Sequence, residues 1–325
     1  MRTEDHPPLG DTTVRLPDFF VVGHAKSGTT ALYEMLCRHP DVFMPPGKEP
    51  WFLAEELLER PPPRPEGVAA TLDEYAALFA GAAPGQLVGE ASALYLWSRT
   101  AAARIAEIKP EAKIVAILRE PAAFLRSLHL QFVETYVEVE PDLRTALELE
   151  PARRRGEQVP RYTYWPKALL YSEHTRYTEL LRRYRERFPP EQMLVLVYDD
   201  FRADNEGTLR EVFRFLGVED SVPVRSREAN PTVGVRSGRV HQLVHAVSVG
   251  TGPVSKAVKA GVKGVTPRGA RRRALAATRR KLVYVKPPPP DEQLMSELRS
   301  GFKGEVEALS ECLGRDLVRL WGYDR

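Results

Sequence analysis

Short apolar runs alternate with amphipathic stretches along most of the chain. The runs that predict strands are Phe19 to Gly23, Leu87 to Glu90, Lys113 to Leu118 and Met193 to Tyr198. Helical spacing of apolar residues separates or follows them, most clearly over 175–188, 205–216 and 293–313. Strands that alternate with helices indicate a parallel sheet covered on both faces. The pattern therefore predicts a three-layer α/β fold, a parallel central sheet flanked by helices.

Proline and glycine mark the irregular parts of this pattern. The segment ERPPPRPEG, residues 59–67, contains too many prolines for regular structure, and glycines at 217 and 314 are expected to end helices. No change in composition marks a second domain. We therefore expect a flexible tail over 1–16 and a single domain over 17–325, with a basic excursion at about 229–290.

The charge is distributed unevenly. The formal net charge is only +3, but residues 229–290 contain thirteen Lys and Arg residues and no Asp or Glu. The rest of the chain has 34 basic and 44 acidic residues and is net negative. Positive potential is thus concentrated in one region, where it can act on an anionic ligand.

Composition excludes several classes of protein. With 43% hydrophobic and 28% charged residues, the chain is expected to fold as an ordinary globular protein. Two cysteines far apart in sequence argue against a disulfide framework or a cysteine-rich metal site. The N-terminus lacks the pattern of a signal peptide, and no segment is apolar over the length of a membrane span. A cytoplasmic location is expected.

The first predicted strand leads into the segment GHAKSGTT and then into a helix. A helix N-terminus offers unpaired N–H groups and the positive end of a dipole, so such a junction favours anions. The loop adds the cation of Lys26 and the hydroxyl groups of Ser27, Thr29 and Thr30, with Gly28 between them. A phosphate-like ligand is therefore predicted here, although an ordinary strand-to-helix turn is the alternative.

The spacing of this loop differs from that of nucleoside triphosphatases. Their Walker A loop, GxxxxGK followed by Ser or Thr, places lysine after the second glycine, whereas Lys26 precedes Ser27 and Gly28. An ATP-dependent P-loop kinase is thereby disfavoured. Nor does the sequence show a second loop of carboxylates suited to magnesium, so no metal is expected.

Two segments resemble those of the family of sulfotransferases that use 3′-phosphoadenosine-5′-phosphosulfate (PAPS). KSGTT, from Lys26 to Thr30, is similar to the loop that binds the 5′-phosphosulfate in this family. A strand closed by Arg119, with Ser127 eight residues later, is similar to the element that binds the 3′-phosphate. Arginine offers a planar fork suited to phosphate. The resemblance implies a P-loop-containing, sulfotransferase-like fold, with PAPS as donor.

The segment GKEPWF resembles the Lys-Glu-x-x-Phe-Phe segment of the carbohydrate-sulfating branch of that family. The resemblance implies that Glu49 is the general base that removes the proton of the acceptor. Lys26 would stabilise charge on the oxygen between sulfur and the departing phosphate, with Lys48 as a second cation. The alternative is that Lys48 and Glu49 begin a solvated helix before Pro50.

Two further features leave the acceptor and the base open. GEASALYL is similar to the family's Gly-Glu-x-Ser-Pro-x-Tyr segment, but Ala93 replaces the proline and Ala91 stands where many relatives have lysine. Glu90 in this segment is expected either to orient a ligand or to make structural hydrogen bonds. The cytosolic branch uses a histidine base, which makes His129 an alternative to Glu49. His24, within the loop, is close enough in sequence to matter for phosphate.

The resemblance implies in-line transfer of a sulfuryl group to a hydroxyl or amine, with release of adenosine 3′,5′-bisphosphate (PAP). The expected acceptor is a small or carbohydrate-bearing molecule of secondary metabolism. A kinase, and a non-catalytic protein that binds nucleotides or polyanions, are the alternatives. The basic residues around Lys263 to Arg273 either close over the nucleotide, attract an anionic acceptor, or form a solvated face. No nucleic-acid motif accompanies them, so nucleic acid is not an expected partner.

Overall fold

The computed structural model describes residues 15–57, 69–160, 163, 165–223, 234–235, 284–285 and 287–324. All but the last two residues of the predicted tail over 1–16 lie outside these ranges. Most of the basic excursion at about 229–290 also lies outside them, including the stretch from Lys263 to Arg273. Every helix in the described ranges is too short or too polar to cross a bilayer.

The chain divides into two compact units, and the first contains the sheet. Its described residues fall within 15–56, 69–119 and 179–223, and those of the second are Leu57 and residues within 120–178, 234–235, 284–285 and 287–324. The predicted single domain over 17–325 stays a prediction.

Five parallel strands form the sheet of the first unit, in the order β2-β3-β1-β4-β5. The strands are β1 (Phe19–Gly23), β2 (Val42–Phe43), β3 (Leu87–Ala91), β4 (Lys113–Leu118) and β5 (Met193–Val197). The four strands predicted from apolar runs are thus confirmed. The last of them ends one residue early, because Tyr198 begins a helix.

The helices, in chain order, are α1 (Thr29–Leu36), α2 (Leu72–Ala77), α3 (Ala101–Ile108), α4 (Pro121–Thr135), α5 (Leu143–Glu148), α6 (Glu150–Arg154), α7 (Tyr177–Arg185), α8 (Tyr198–Ala203), α9 (Asn205–Leu216), α10 (Glu292–Leu313) and α11 (Leu317–Trp321). A 3-10 helix spans Phe52–Leu57, and others span Pro166–Leu169, Tyr171–Thr175 and Pro190–Gln192. Gly217 and Gly314 end α9 and α10 in the left-handed conformation, as predicted.

The core of the first unit lies on both faces of the sheet. Phe19 and Val21 of β1 belong to one apolar cluster with buried residues of α1 and α9. Phe20 and Val22 point to the opposite face, because successive side chains of a strand alternate, and they too are fully buried. Burial on both faces explains the continuous apolar run of β1 and confirms the predicted three layers.

The second unit consists of α4–α6, part of the chain before α7, α10 and α11, and the short antiparallel pair β6 (Gly234–Val235) and β7 (Tyr284–Val285). Glu120 caps α4 by accepting from the N–H groups of Ala122 and Ala123. Its carboxylate also accepts from the hydroxyl of Tyr323, after α11, at 2.5 Å. The C-terminal end of the chain is thereby fixed to the start of α4.

Candidate active site

The loop of residues 24–28 joins β1 to α1 at the carboxyl end of the sheet. The backbone N–H of His24 donates to the carbonyl of Ile117 on β4 at 2.6 Å, and that of Ser27 donates to the carbonyl of His24 at 3.2 Å. His24 and Ser27 are fully buried. The loop is therefore fixed to the neighbouring strand, and its position follows from the sheet.

Gly28 is required where the loop turns into α1. Its φ of 91° lies in the left-handed region, and a Cβ atom at this position would lie 3.0 Å from the ring of Phe201 and 3.2 Å from that of Tyr198. As the N-cap residue, glycine also brings no side chain of its own to the first N–H groups of α1. Lys26 too has a positive φ, of 60°. An unfavourable backbone at a non-glycine residue is a feature of many ligand-binding loops.

Lys48 connects this loop with the segment that carries Glu49. Its ammonium donates to Oγ1 of Thr29 at 2.9 Å and lies 3.5 Å from Oγ1 of Thr30. The same nitrogen lies 3.0 Å from a carboxylate oxygen of Glu49. The side chain of Lys48 is only 14% exposed and that of Glu49 is 30% exposed. A carboxylate, a cation and two hydroxyl groups thus meet at the start of α1.

The backbone around Glu49 is unusual. Gly47, Glu49 and Trp51 have φ values of 121°, 66° and 51°. A positive φ is unfavourable for glutamate, and the ring of Pro50 further restricts the residue before it. The N–H of Glu49 donates to the carbonyl of Ala91 on β3 at 3.0 Å. Glu49 therefore belongs to an irregular, anchored segment and not to the solvated helix start considered from the sequence.

Arg119, directly after β4, contacts the same loop. Its guanidinium donates from Nη1 to the carbonyl of Lys26 at 3.0 Å, and it lies over the ring of Tyr198 at 4.9 Å from the ring centre. Sequence reasoning did not single out Tyr198. Its position immediately after β5 was the available signal, because the carboxyl ends of neighbouring parallel strands gather residues of a ligand site.

The predicted site residues of the first unit thus come together at one end of the sheet: Lys26, Ser27, Gly28, Thr29, Thr30, Lys48, Glu49 and Arg119. Ser127 lies on α4 in the second unit, where it is buried. The pairing of Ser127 with Arg119 remains a prediction. In the described part of the chain, no group of three or more His, Cys, Asp or Glu side chains is arranged to hold a metal ion.

His129 makes the contacts of a structural histidine. It is buried on α4, and its Nε2 lies 2.9 Å from the carbonyl oxygen of Glu140, so Nε2 carries the hydrogen of this bond. Its ring packs against that of Tyr171 at 6.0 Å. Burial lowers the pKa of His129. These contacts, all within the second unit, account for the residue without a role as base.

Glu90 on β3 is fully buried and close to the site. The hydroxyl of Tyr75 donates to its Oε2 at 2.9 Å. Burial raises the pKa of Glu90 to about 7, partly offset by the hydroxyls of Ser92, Tyr75 and Tyr95, and the charge of Glu49 raises it further. Glu90 therefore changes its charge near neutral pH, a property that its place in the sequence did not reveal.

Comparison with known proteins gives a consistent result. Residues 17–221 match the protein-family model described as "Sulfotransferase family". The chain is similar to a solved sulfotransferase from Alicyclobacillus acidocaldarius, with a TM-score of 0.66 and 26% identity, over 94% of this chain and 99% of that one. The predicted P-loop-containing, sulfotransferase-like fold is confirmed.

Curated relatives are similar over a shorter part of their length. Human heparan sulfate glucosamine 3-O-sulfotransferase 3B1 is 27% identical over 227 residues, which cover 69% of this chain and 52% of the relative. Human bifunctional heparan sulfate N-deacetylase/N-sulfotransferase 3 is 29% identical over 219 residues, covering 64% of this chain and 23% of the relative. The chain thus spans about half, or less, of the length of these relatives.

Proposed function

The chain belongs to the sulfotransferase family, and from this premise we propose that it transfers a sulfuryl group from PAPS to a hydroxyl or amine group of an acceptor. Adenosine 3′,5′-bisphosphate is the second product, and no metal takes part. The observation that carries the proposal is the position of Lys48, whose ammonium lies 2.9 Å from the Thr29 hydroxyl and 3.0 Å from the Glu49 carboxylate. It links an anion-binding helix start with a candidate base.

The chemistry of the side chains fits the donor. PAPS carries phosphate and sulfate groups on its 5′ side, and the N-terminus of α1 offers N–H groups beside the hydroxyls of Thr29 and Thr30. Lys26 and Lys48 supply positive charge. Arg119, which is held by the Lys26 carbonyl and the Tyr198 ring, is proposed to bind the 3′-phosphate together with Ser127. This second phosphate distinguishes PAPS from ATP.

Glu49 is proposed to accept the proton of the attacking hydroxyl. A hydroxyl group attacks sulfur poorly unless a positioned base removes its proton as the new bond forms. The anchored backbone of Glu49 and the contact of its carboxylate with Lys48 hold the base beside the start of α1. Lys26 and Lys48 are proposed to stabilise the negative charge that develops on the departing phosphate oxygen.

The acceptor is proposed to be a carbohydrate-bearing or small molecule. The curated relatives are named for heparan sulfate and glucosamine, which supports a sugar hydroxyl or amine as the group sulfated. Ala91 stands where carbohydrate-sulfating relatives often have lysine, and for this reason the proposed acceptor is not restricted to a sugar. A cytoplasmic location and a role in secondary metabolism belong to the same proposal.

The test is incubation of the full chain with PAPS and a panel of acceptors, which includes glucosamine-containing oligosaccharides and small hydroxylated compounds. Mass spectrometry would detect the gain of one SO₃ group. The expected result is transfer by the parent protein, severe loss of transfer in Glu49→Gln, and unchanged transfer in Glu211→Gln, which alters an exposed glutamate of α9.

Other outcomes distinguish the alternatives. Undiminished transfer by Glu49→Gln would remove Glu49 from the mechanism. A product formed only with ATP would indicate a kinase. Tight PAP binding without transfer to any acceptor would favour a protein that binds nucleotides without catalysis.

A further inference from the structure

A buried polar cluster contacts the segment that carries Glu49. We call it the Glu90 cluster, and it consists of Glu90, Tyr75 and Tyr95. All three residues are fully buried. The hydroxyl of Tyr75 donates to Glu90 at 2.9 Å, and the hydroxyl of Tyr95 is close enough to lower the pKa of the carboxyl group. The carboxyl group is thus the centre at which both phenols meet.

Each tyrosine of the cluster contacts the far end of the Glu49 segment. The N–H of Leu53 donates to the hydroxyl oxygen of Tyr95 at 3.1 Å. The ring of Phe52 stacks on that of Tyr75, with 4.6 Å between ring centres and 17° between planes. The cluster therefore fixes the residues that follow Glu49 in the chain, through one hydrogen bond and one stacked ring.

The start of the segment is fixed by β3, the strand that carries Glu90. The N–H of Glu49 donates to the carbonyl of Ala91, the residue after Glu90 on β3. Between the two anchored ends, Glu49 and Trp51 both have a positive φ. Such a backbone persists only where surrounding contacts impose it. The conformation that presents the Glu49 carboxylate to Lys48 thus depends on contacts with β3 and the Glu90 cluster.

Burial of the Glu90 carboxyl group is energetically unfavourable. Removal of a carboxyl group from water is unfavourable unless hydrogen bonds compensate for it, and an apolar side chain of similar size avoids that cost. Among the described residues, Tyr75 makes the one hydrogen bond to Glu90 that meets ordinary geometric limits. Stability alone therefore gives no reason for a glutamate here, whereas the orientation of the Tyr75 phenol does.

We propose that Glu90 is a positioning residue for the base: it orients Tyr75 by a hydrogen bond and lies beside Tyr95, and these two tyrosines hold the backbone from Glu49 to Leu53 in the conformation that presents the Glu49 carboxylate. This inference rests on the proposed function, because the importance of the conformation lies in the transfer reaction. Glu90 itself does not contact the reacting groups.

Steady-state kinetics provide the first test. Glu90→Leu is expected to lower kcat by about tenfold to a hundredfold, the order expected for a misplaced catalytic group, with the KM for PAPS within about twofold of the parent. Glu90→Gln keeps an oxygen that accepts from Tyr75 and is expected to retain most of the activity. Tyr95→Phe, which removes the acceptor for the Leu53 N–H and the hydroxyl beside Glu90 but keeps the ring, is a milder variant should Glu90→Leu fail to fold.

A double-mutant cycle separates positioning from general damage. If Glu90 acts through Glu49, Glu90→Leu lowers kcat much less in a Glu49→Gln background than in the parent. If the two single-variant losses of kcat multiply in the double variant, the proposal is contradicted. The matched control is Tyr171→Phe in the second unit, which removes the hydrogen bond of another buried tyrosine to a buried glutamate, Glu138, at 3.1 Å. It is expected to lower stability and to leave kcat unchanged.

Amide hydrogen exchange tests the positioning without any activity. Peptides that contain residues 49–53 are expected to exchange faster in Glu90→Leu and Tyr95→Phe, while peptides from the loop of residues 24–30 keep the parent rate. Unchanged exchange over 49–53 would refute the positioning. If the parent transfers no sulfuryl group but exchange over residues 49–53 becomes faster in these variants, the proposed function fails. The structural link from Glu90 to the segment then stands.

Discussion

Lys48 donates from its ammonium to the hydroxyl of Thr29 at 2.9 Å, across nineteen positions of the chain. This bond brings the carboxylate neighbour of Lys48, Glu49, to the first turn of α1. A helix start that attracts anions thereby acquires a second cation and a base from one short segment. Both halves of the proposed reaction meet at this hydrogen bond.

Lys48→Met is expected to lower kcat/KM by about a hundredfold, since it removes both a positive charge beside the donor and the link to Glu49. Initial rates at varied PAPS concentration would measure the effect. Arg210→Met, which changes an exposed arginine of α9 with an i,i+4 partner, is the control and is expected to match the parent. A loss confined to stability, with kcat/KM preserved, would contradict the assignment of Lys48.

Gly28→Ala is expected to destabilise the protein by more than about 1 kcal/mol and to abolish PAP binding. Alanine at this position would have to adopt the positive φ, and its methyl group would crowd the rings of Phe201 and Tyr198. Urea unfolding and titration calorimetry measure the two effects. Gly304→Ala in α10, where a Cβ atom meets nothing within 4 Å, is the control and is expected to stabilise by about 0.5–1 kcal/mol.

Arg119→Lys is expected to weaken PAP binding by about tenfold or more. A lysine ammonium cannot lie flat on the ring of Tyr198 or present the planar fork of a guanidinium to phosphate. Titration calorimetry with PAP would measure this. Tyr198→Phe keeps the stacked ring and serves as the conservative control, with an affinity close to that of the parent. Equal affinity of Arg119→Lys and parent would exclude Arg119 from donor binding.

Glu90 predicts a specific dependence of stability on pH. Burial raises its pKa from 4.5 to about 7, so the folded chain holds a proton between these values that the unfolded chain has released. The free energy of unfolding therefore falls as pH rises from about 4.5 to about 7. At about 1.4 kcal/mol for each pKa unit, the total is about 3 kcal/mol. Urea unfolding at several pH values would show this loss in the parent but not in Glu90→Gln.

His174 makes the free energy of unfolding depend on pH in the opposite direction to Glu90. It is fully buried in the second unit, and burial lowers its pKa from 6.5 to about 4. Its contribution to stability is present above about pH 6.5 and is lost as the pH falls toward 4. Since His174 is present in both the parent and Glu90→Gln, its effect cancels in their difference. If the unfolding free energy of the parent, minus that of Glu90→Gln, falls as the pH is lowered from about 7 to about 4.5, the raised pKa of Glu90 is refuted.

Local features of the sequence predicted much of the fold and the residues that meet at the start of α1. The apolar run of β1, the loop and α1 follow one another directly. The whole pattern is therefore contained in one short stretch of the sequence. Arg119 was predicted in the same way, because it closes the buried strand β4. In each case the residues that define the feature are close neighbours in the chain.

Other features depend on which strands become neighbours. Tyr198 stacks on Arg119 because β5 pairs with β4, and sequence alone did not give that order. Glu49 has a positive φ, which a glutamate before proline does not predict. The raised pKa of Glu90 comes from its complete burial in the folded chain. These are consequences of tertiary structure.

The strand order β2-β3-β1-β4-β5 places β1 between two different neighbours. On the β3 side lie Ala91 and the Glu90 cluster, which anchor the proposed base; on the β4 side lies Arg119, proposed for the donor. Lys48 and Glu49 both lie between β2 and β3, whereas Arg119 follows β4. Exchange of the β2–β3 region between relatives is therefore expected to replace the proposed base together with one cation, and to leave Arg119 in place.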